Sequence, residues 1–69
     1  MEIDAKSPHG NAWYIISAVR KLLIDVGRGD EANKVSGRMR SGNYENLCNI
    51  AEEVTNGSIT IVNRNGEDN

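Results

Sequence analysis

The stretch Gly10 to Gly27, GNAWYIISAVRKLLIDVG, decides the fold. Ala12, Ile15, Ile16, Val19, Leu22, Leu23 and Val26 recur at three- and four-residue intervals, so they share one face of a helix, while Ser17, Arg20, Lys21 and Asp25 fall largely on the other. Asn11 is a favoured N-cap, because its side chain can accept from an unpaired amide of the first turn. Gly27 or Gly29 can supply the left-handed stop. The spacing therefore predicts an amphipathic helix from about Asn11 to Val26.

Working back toward the N-terminus, Met1, Ile3 and Ala5 alternate with Glu2, Asp4 and Lys6, the period-two pattern of a half-buried strand. Ser7-Pro8 ends it, since proline removes a donor and disfavours helix at the residue before it. Working forward, Asp30 is placed to cap a second helix with Ala32, Val35 and Met39 on one face, weakened by Gly37. Ser41-Gly42-Asn43 breaks the chain and caps a third helix, whose stripe is Tyr44, Leu47, Cys48, Ala51 and Val54. Asn56-Gly57 ends that helix. Ser58 to Asn63 reads as a strand because Ile59, Thr60, Ile61 and Val62 are β-branched. The expected fold is α+β, a small β-α-α-α-β domain over residues 1–63 with a flexible polar tail at 64–69. Its two short terminal strands could pair beside a three-helix layer.

Composition narrows the function classes. A chain of 69 residues with 38% hydrophobic residues, one Trp, two Tyr and no Phe must build a small core from aliphatic side chains. Folding at this size buries only about 60% of the unfolded surface, so a homo-oligomer is the expected source of extra stability. The single Cys48 cannot form an internal disulfide, and one Cys with one His is too few for a protein-only zinc site, so neither metal nor cofactor is expected. No leader or membrane-length apolar run is present, which points to the cytoplasm and no membrane. A net charge of -2 argues against general nucleic-acid affinity, leaving a small DNA-binding regulator with helix two or three in a groove as a minor alternative. No residue pair suggests catalysis: His9 is the only histidine, and Cys48 lies on an inward stripe, the usual place of a structural thiol. The protein is expected not to be an enzyme.

The chemistry that remains is binding. His9-Gly10-Asn11 opens helix one and Ser41-Gly42-Asn43 opens helix three. Helix starts carry unpaired amides and partial positive charge, and a glycine can let an anion approach them. Ordinary turn and cap chemistry is the plainer reading of both corners. Beside them stand Trp13, Tyr14, Arg38, Arg40 and Tyr44: aromatic faces stack on bases and guanidinium groups grip phosphates. The plainer reading makes the aromatics core or interface anchors and the arginines a solubilising face.

The runs Ser7-Pro8-His9-Gly10-Asn11-Ala12-Trp13 and Met39-Arg40-Ser41-Gly42-Asn43-Tyr44-Glu45-Asn46-Leu47, separated by a helix and a Gly27-Arg28-Gly29-Asp30 break, resemble a widespread group of very small phage and prophage proteins. That group's pattern is roughly GNAF, helix, SGDY, two residues, Leu. The resemblance covers about Ile3 to Val62, with Trp13 where Phe is common and Asn43 where Asp is common. It implies a phage accessory protein of no established activity. By analogy with other small phage proteins, the expected role is anti-defence in the host cell cytoplasm. The protein would act as a viral sponge that sequesters a cyclic or related signalling nucleotide as a homo-oligomer, or alternatively as an inhibitor bound to a host defence protein.

Overall fold

The computed structural model describes residues 1–64. Strand β1 (Glu2–Asp4) leads through a 3-10 turn (Pro8–Gly10) into three helices, α1 (Ala12–Asp25), α2 (Gly29–Arg40) and α3 (Tyr44–Val54), and the chain closes with strand β2 (Thr60–Val62). The protein is thus α+β and mostly helical. β1 and β2 form a two-stranded parallel sheet in which Ile3 stands opposite Ile61. Parallel neighbours need a long crossover, which the three helices supply. Both strands are shorter than the sequence pattern predicts, because only Glu2–Asp4 and Thr60–Val62 pair, with the Met1 carbonyl and the Ala5 amide closing the two ends of the ladder.

The helix boundaries follow from local chemistry. Asn11 Oδ1 accepts the Tyr14 amide at 2.8 Å, and Asn43 Oδ1 accepts the Asn46 amide at 2.8 Å, so both expected N-caps are made. At the far end of α1, Gly27 takes φ +82, its amide reaches the Ile24 carbonyl at 3.1 Å, and the Arg28 amide reaches that of Leu23 at 2.6 Å. This is a Schellman stop. It leaves Val26 outside the helix and 59% exposed, although the stripe had placed it inward. Asn56, at φ 53, ends α3 in the same way, with the Asn56 and Gly57 amides on the Glu53 and Glu52 carbonyls.

One expected cap is corrected. α2 begins at Gly29, one residue before Asp30, and its N-cap position is Arg28, which makes no side-chain cap bond. Val26, Gly27 and Arg28 alone lie between the two helices, and the Gly27 stop leaves only Arg28 before α2, so the chain has no room for an Asp30 cap. Asp30 instead lies in the first turn with Glu31, where negative charge meets the positive helix end. Arg28 grips Glu31 through Nε at 3.0 Å and Nη2 at 2.8 Å.

The apolar stripes converge. Ile15, Val19 and Leu23 of α1, Met39 of α2 and Cys48 of α3 are the largest fully buried side chains, and Ile3 and Ile61 roof them from the sheet. Thr55 is buried yet satisfied: its hydroxyl donates to the Ala51 carbonyl at 2.7 Å and accepts the Ile59 amide at 3.1 Å, fixing the turn into β2. The expected polar tail from residue 65 onward lies outside the described residues. Arg64, counted with that tail in the sequence, is held by Asn49 Oδ1 at 2.7 Å and Glu52 at 2.7 Å.

Candidate functional site

The two helix corners meet. The Tyr44 hydroxyl, in the first turn of α3, donates a short hydrogen bond to the carbonyl of Gly10, just ahead of α1. Burial pushes the Tyr44 pKa up, and Cys48 beside it acts in the same direction. The hydroxyl therefore stays a donor at neutral pH. With Asn11 and Asn43 capping the adjoining helix starts, the joint brings the N-terminal ends of α1 and α3 beside the C-terminal end of α2.

A groove of about 340 Å³ opens there. Ile16, Met39 and Leu47 form its apolar floor, and Trp13, Arg40, Gly42, Asn43 and Tyr44 form its walls. Trp13 is 67% exposed. The guanidinium carbon of Arg40 lies 5.9 Å from the Trp13 ring centroid, within cation–π range. Trp13 is therefore neither a core anchor nor a free surface ring, because it forms one wall of the groove with a cation over its face.

The other expected site residues are distributed differently. His9 stacks on Tyr14 with ring centroids 4.6 Å apart and planes at 17°. Tyr14 lines a separate, larger groove of about 570 Å³, whose other walls include Met1, Lys21, Leu22, Asp25 and Ile59 and which sequence reasoning missed. Arg38 is exposed and pairs loosely with Glu53 at 3.5 Å, away from the groove. Ser41 Oγ donates to the Arg38 carbonyl at 2.9 Å and finishes α2. Helix geometry explains this division. Successive helical residues are rotated by about 100°, so Trp13 and Tyr14 face different grooves, and Arg38 and Arg40 lie on nearly opposite sides of α2.

The glycines of the corners serve packing. A Cβ on Gly10 would sit 2.3 Å from the Ala5 carbonyl oxygen, and one on Gly42 would sit 2.5 Å from Asn46 Nδ2. Protein therefore occupies the space that each missing side chain leaves. Compared with protein-family models, curated proteins and solved structures, the chain matches none. The groove is the place where the two Gly-Asn runs, at Ala12-Trp13 and Gly42-Asn43-Tyr44, come together.

Among the described residues, no group of three or more His, Cys, Asp or Glu side chains could hold a metal ion. No described helix is long and apolar enough to cross a membrane. Cys48 is a buried thiol that forms no disulfide. The groove thus offers an aromatic face, one cation, two helix starts and an apolar floor. That set can stack a planar group and hold a negative charge beside it.

Proposed function

We propose that the protein is a non-enzymatic binding module whose groove takes a small anionic ligand with an aromatic base. In the phage setting that its motifs suggest, the ligand would be a host signalling nucleotide, sequestered in the host cytoplasm to blunt antiviral defence. The observation that carries this reading is the Arg40 and Trp13 pair at the mouth of an apolar-floored groove between two helix starts. A base would stack on Trp13, and its phosphate would meet Arg40 and the positive ends of α1 and α3.

At about 340 Å³ the groove lies near the small end of ligand pockets. It suits one nucleotide unit. A cyclic dinucleotide would then be shared by the grooves of two copies, which is how homo-oligomerisation enters this proposal.

Calorimetric titration with mononucleotides, cyclic di- and trinucleotides and cyclic ADP-ribose isomers is the direct test. Trp13→Ala should weaken binding roughly 5- to 150-fold, the equivalent of ~1–3 kcal/mol for one stacked base. Absence of heat from the whole panel removes the nucleotide reading.

A second reading, direct inhibition of a host defence protein, is favoured by Trp13, Ile24 and Val26, which are 67%, 55% and 59% exposed on or just beyond α1. In that case one stoichiometric host protein co-purifies with the wild-type chain, and changing Ile24 to Lys releases it. If Ile24→Lys has no effect on the complex, α1 is not the contact.

A further inference from the structure

The two outer edges of the sheet are finished in different ways. The Thr60 amide donates to the Met1 carbonyl at 2.9 Å and the Ala5 amide to the Val62 carbonyl at 2.8 Å. With Ile3 opposite Ile61, these bonds fix the phase: Met1, Ile3 and Ala5 turn their backbone groups toward β2, and Thr60 and Val62 turn theirs toward β1. The intervening residues, Ile61 on β2 and Glu2 and Asp4 on β1, turn outward.

On β2 the outward groups are satisfied by side chains. The Ile61 amide donates to Glu52 Oε2 at 2.9 Å, the Ile61 carbonyl accepts from Arg64 Nε at 3.2 Å, and Arg64 Nη2 meets Glu52 Oε2 at 2.7 Å. The ion pair stands where a third strand would. On β1, among the described residues, only the Asp4 carbonyl is taken, by the Ser7 amide at 3.0 Å and the Ser7 hydroxyl at 2.7 Å. Among the described residues nothing is placed to pair with the Glu2 amide, the Glu2 carbonyl or the Asp4 amide.

We propose that the β1 edge is a docking site for an extended basic segment of a partner protein, which adds to β1 as a third strand. These three main-chain groups, unpaired among the described residues, supply the ladder for such addition. Glu2 and Asp4 are exposed on either side of buried Ile3, so Lys or Arg side chains on an incoming strand stand opposite carboxylates. A second copy fits poorly. Antiparallel pairing about Ile3 sets Glu2 against the partner's Asp4 twice, and parallel pairing sets each acid against itself. This inference does not rest on the nucleotide groove.

The test is an amide-resolved NMR titration of the full chain with a short peptide alternating Lys and Val, alongside a matched peptide with Glu in place of Lys. The expected result is saturable shifts and slowed hydrogen exchange at the Glu2 and Asp4 amides with the Lys peptide alone, weakening as salt is added. The Glu2→Pro variant removes one outward donor and spares the bonds to β2. It should lose at least about tenfold in affinity, the equivalent of ~1.4 kcal/mol, with the rest of the spectrum unchanged. Four outcomes overturn the proposal: no shift with the Lys peptide, equal shifts with the Glu peptide, shifts centred on Trp13 and Arg40, or protection of the same amides by self-association without peptide.

Discussion

Replacing Gly10 with Ala and, separately, Gly37 with Ala should move stability in opposite directions. At Gly10 the added Cβ would lie 2.3, 2.5 and 2.6 Å from the O, C and Cα atoms of Ala5. All three are backbone atoms, and the Ala5 amide is bonded to Val62 in the sheet. Relief therefore means prising the 3-10 turn away from the end of β1, at about 1–3 kcal/mol for overpacking. The displaced Gly10 carbonyl also loses the Tyr44 hydroxyl, about 1 kcal/mol more. A loss of roughly 2–4 kcal/mol is large in a domain whose total is roughly 3–10 kcal/mol at ~0.05–0.15 kcal/mol per residue. It should lower Tm by roughly 10–25 °C. Gly37 sits exposed in mid-α2 with nothing within 4 Å of its would-be Cβ. There Ala should stabilise by ~0.5–1 kcal/mol. Thermal and urea melts followed by far-UV circular dichroism report both. A Gly10→Ala protein that melts with the parent, or a Gly37→Ala protein that melts earlier, would refute the packing argument.

The remaining predictions concern the caps and charges. Asn11→Ala and Asn43→Ala should each cost ~1 kcal/mol through the lost cap bond, measured as a lower urea midpoint at unchanged slope. Glu52→Ala takes away the acceptor of the Ile61 amide and the ion pair to Arg64, which keeps its bonds to Asn49 and the Ile61 carbonyl, and should cost ~1.5–3 kcal/mol, whereas Glu53→Ala breaks only the exposed pair with Arg38 and should stay within ~0.5 kcal/mol. Asp4, Glu31 and Glu52 all titrate below the ordinary carboxylate range: Asp4 mainly through the Lys6 amide, Glu31 through Arg28, and Glu52 because the Ile61 amide and Arg64 overcome the upward push of burial. Depressed carboxylates stabilise the fold at neutral pH, and that contribution disappears as pH falls through their folded values. Urea midpoints should therefore drop from about pH 5 downward, and less steeply in Glu52→Gln.

Features encoded within a few residues were legible in the sequence. The α1 stripe, the caps Asn11 and Asn43 and the stops at Gly27 and Asn56 each depend on neighbours within about one helical turn, and each is found where the pattern placed it except Val26, which the Gly27 stop puts outside α1. Asp30 was misread as a cap because cap propensity is local, while the start of α2 was fixed by the stop just before it. The groove was only partly legible. That Gly10 and Tyr44 touch across 34 positions of sequence is a tertiary fact, and so is the choice of Arg40 over Arg38 as the cation above Trp13. The Glu52 and Arg64 brace on β2 had no local signature at all, since Arg64 falls in the expected polar tail and nothing near either residue in sequence places Ile61 between them.

Trp13 separates the demands of folding from those of binding. A chain with only three aromatic residues leaves its single Trp 67% exposed while Ile, Leu, Val and Met fill the core. Full burial of a large apolar side chain would contribute ~1.5–3 kcal/mol. At this exposure most of that gain is forgone, and the cation–π contact with Arg40 returns only ~0.5–1 kcal/mol at an open site. Trp13→Ala should thus shift stability by no more than about 1 kcal/mol, yet it removes the exposed aromatic wall of the groove that lies under Arg40. If the ring exists for binding, this variant melts close to the parent and fails to hold ligand. If it instead unfolds several kcal/mol early, Trp13 is a structural anchor and the groove loses its claim to be the site.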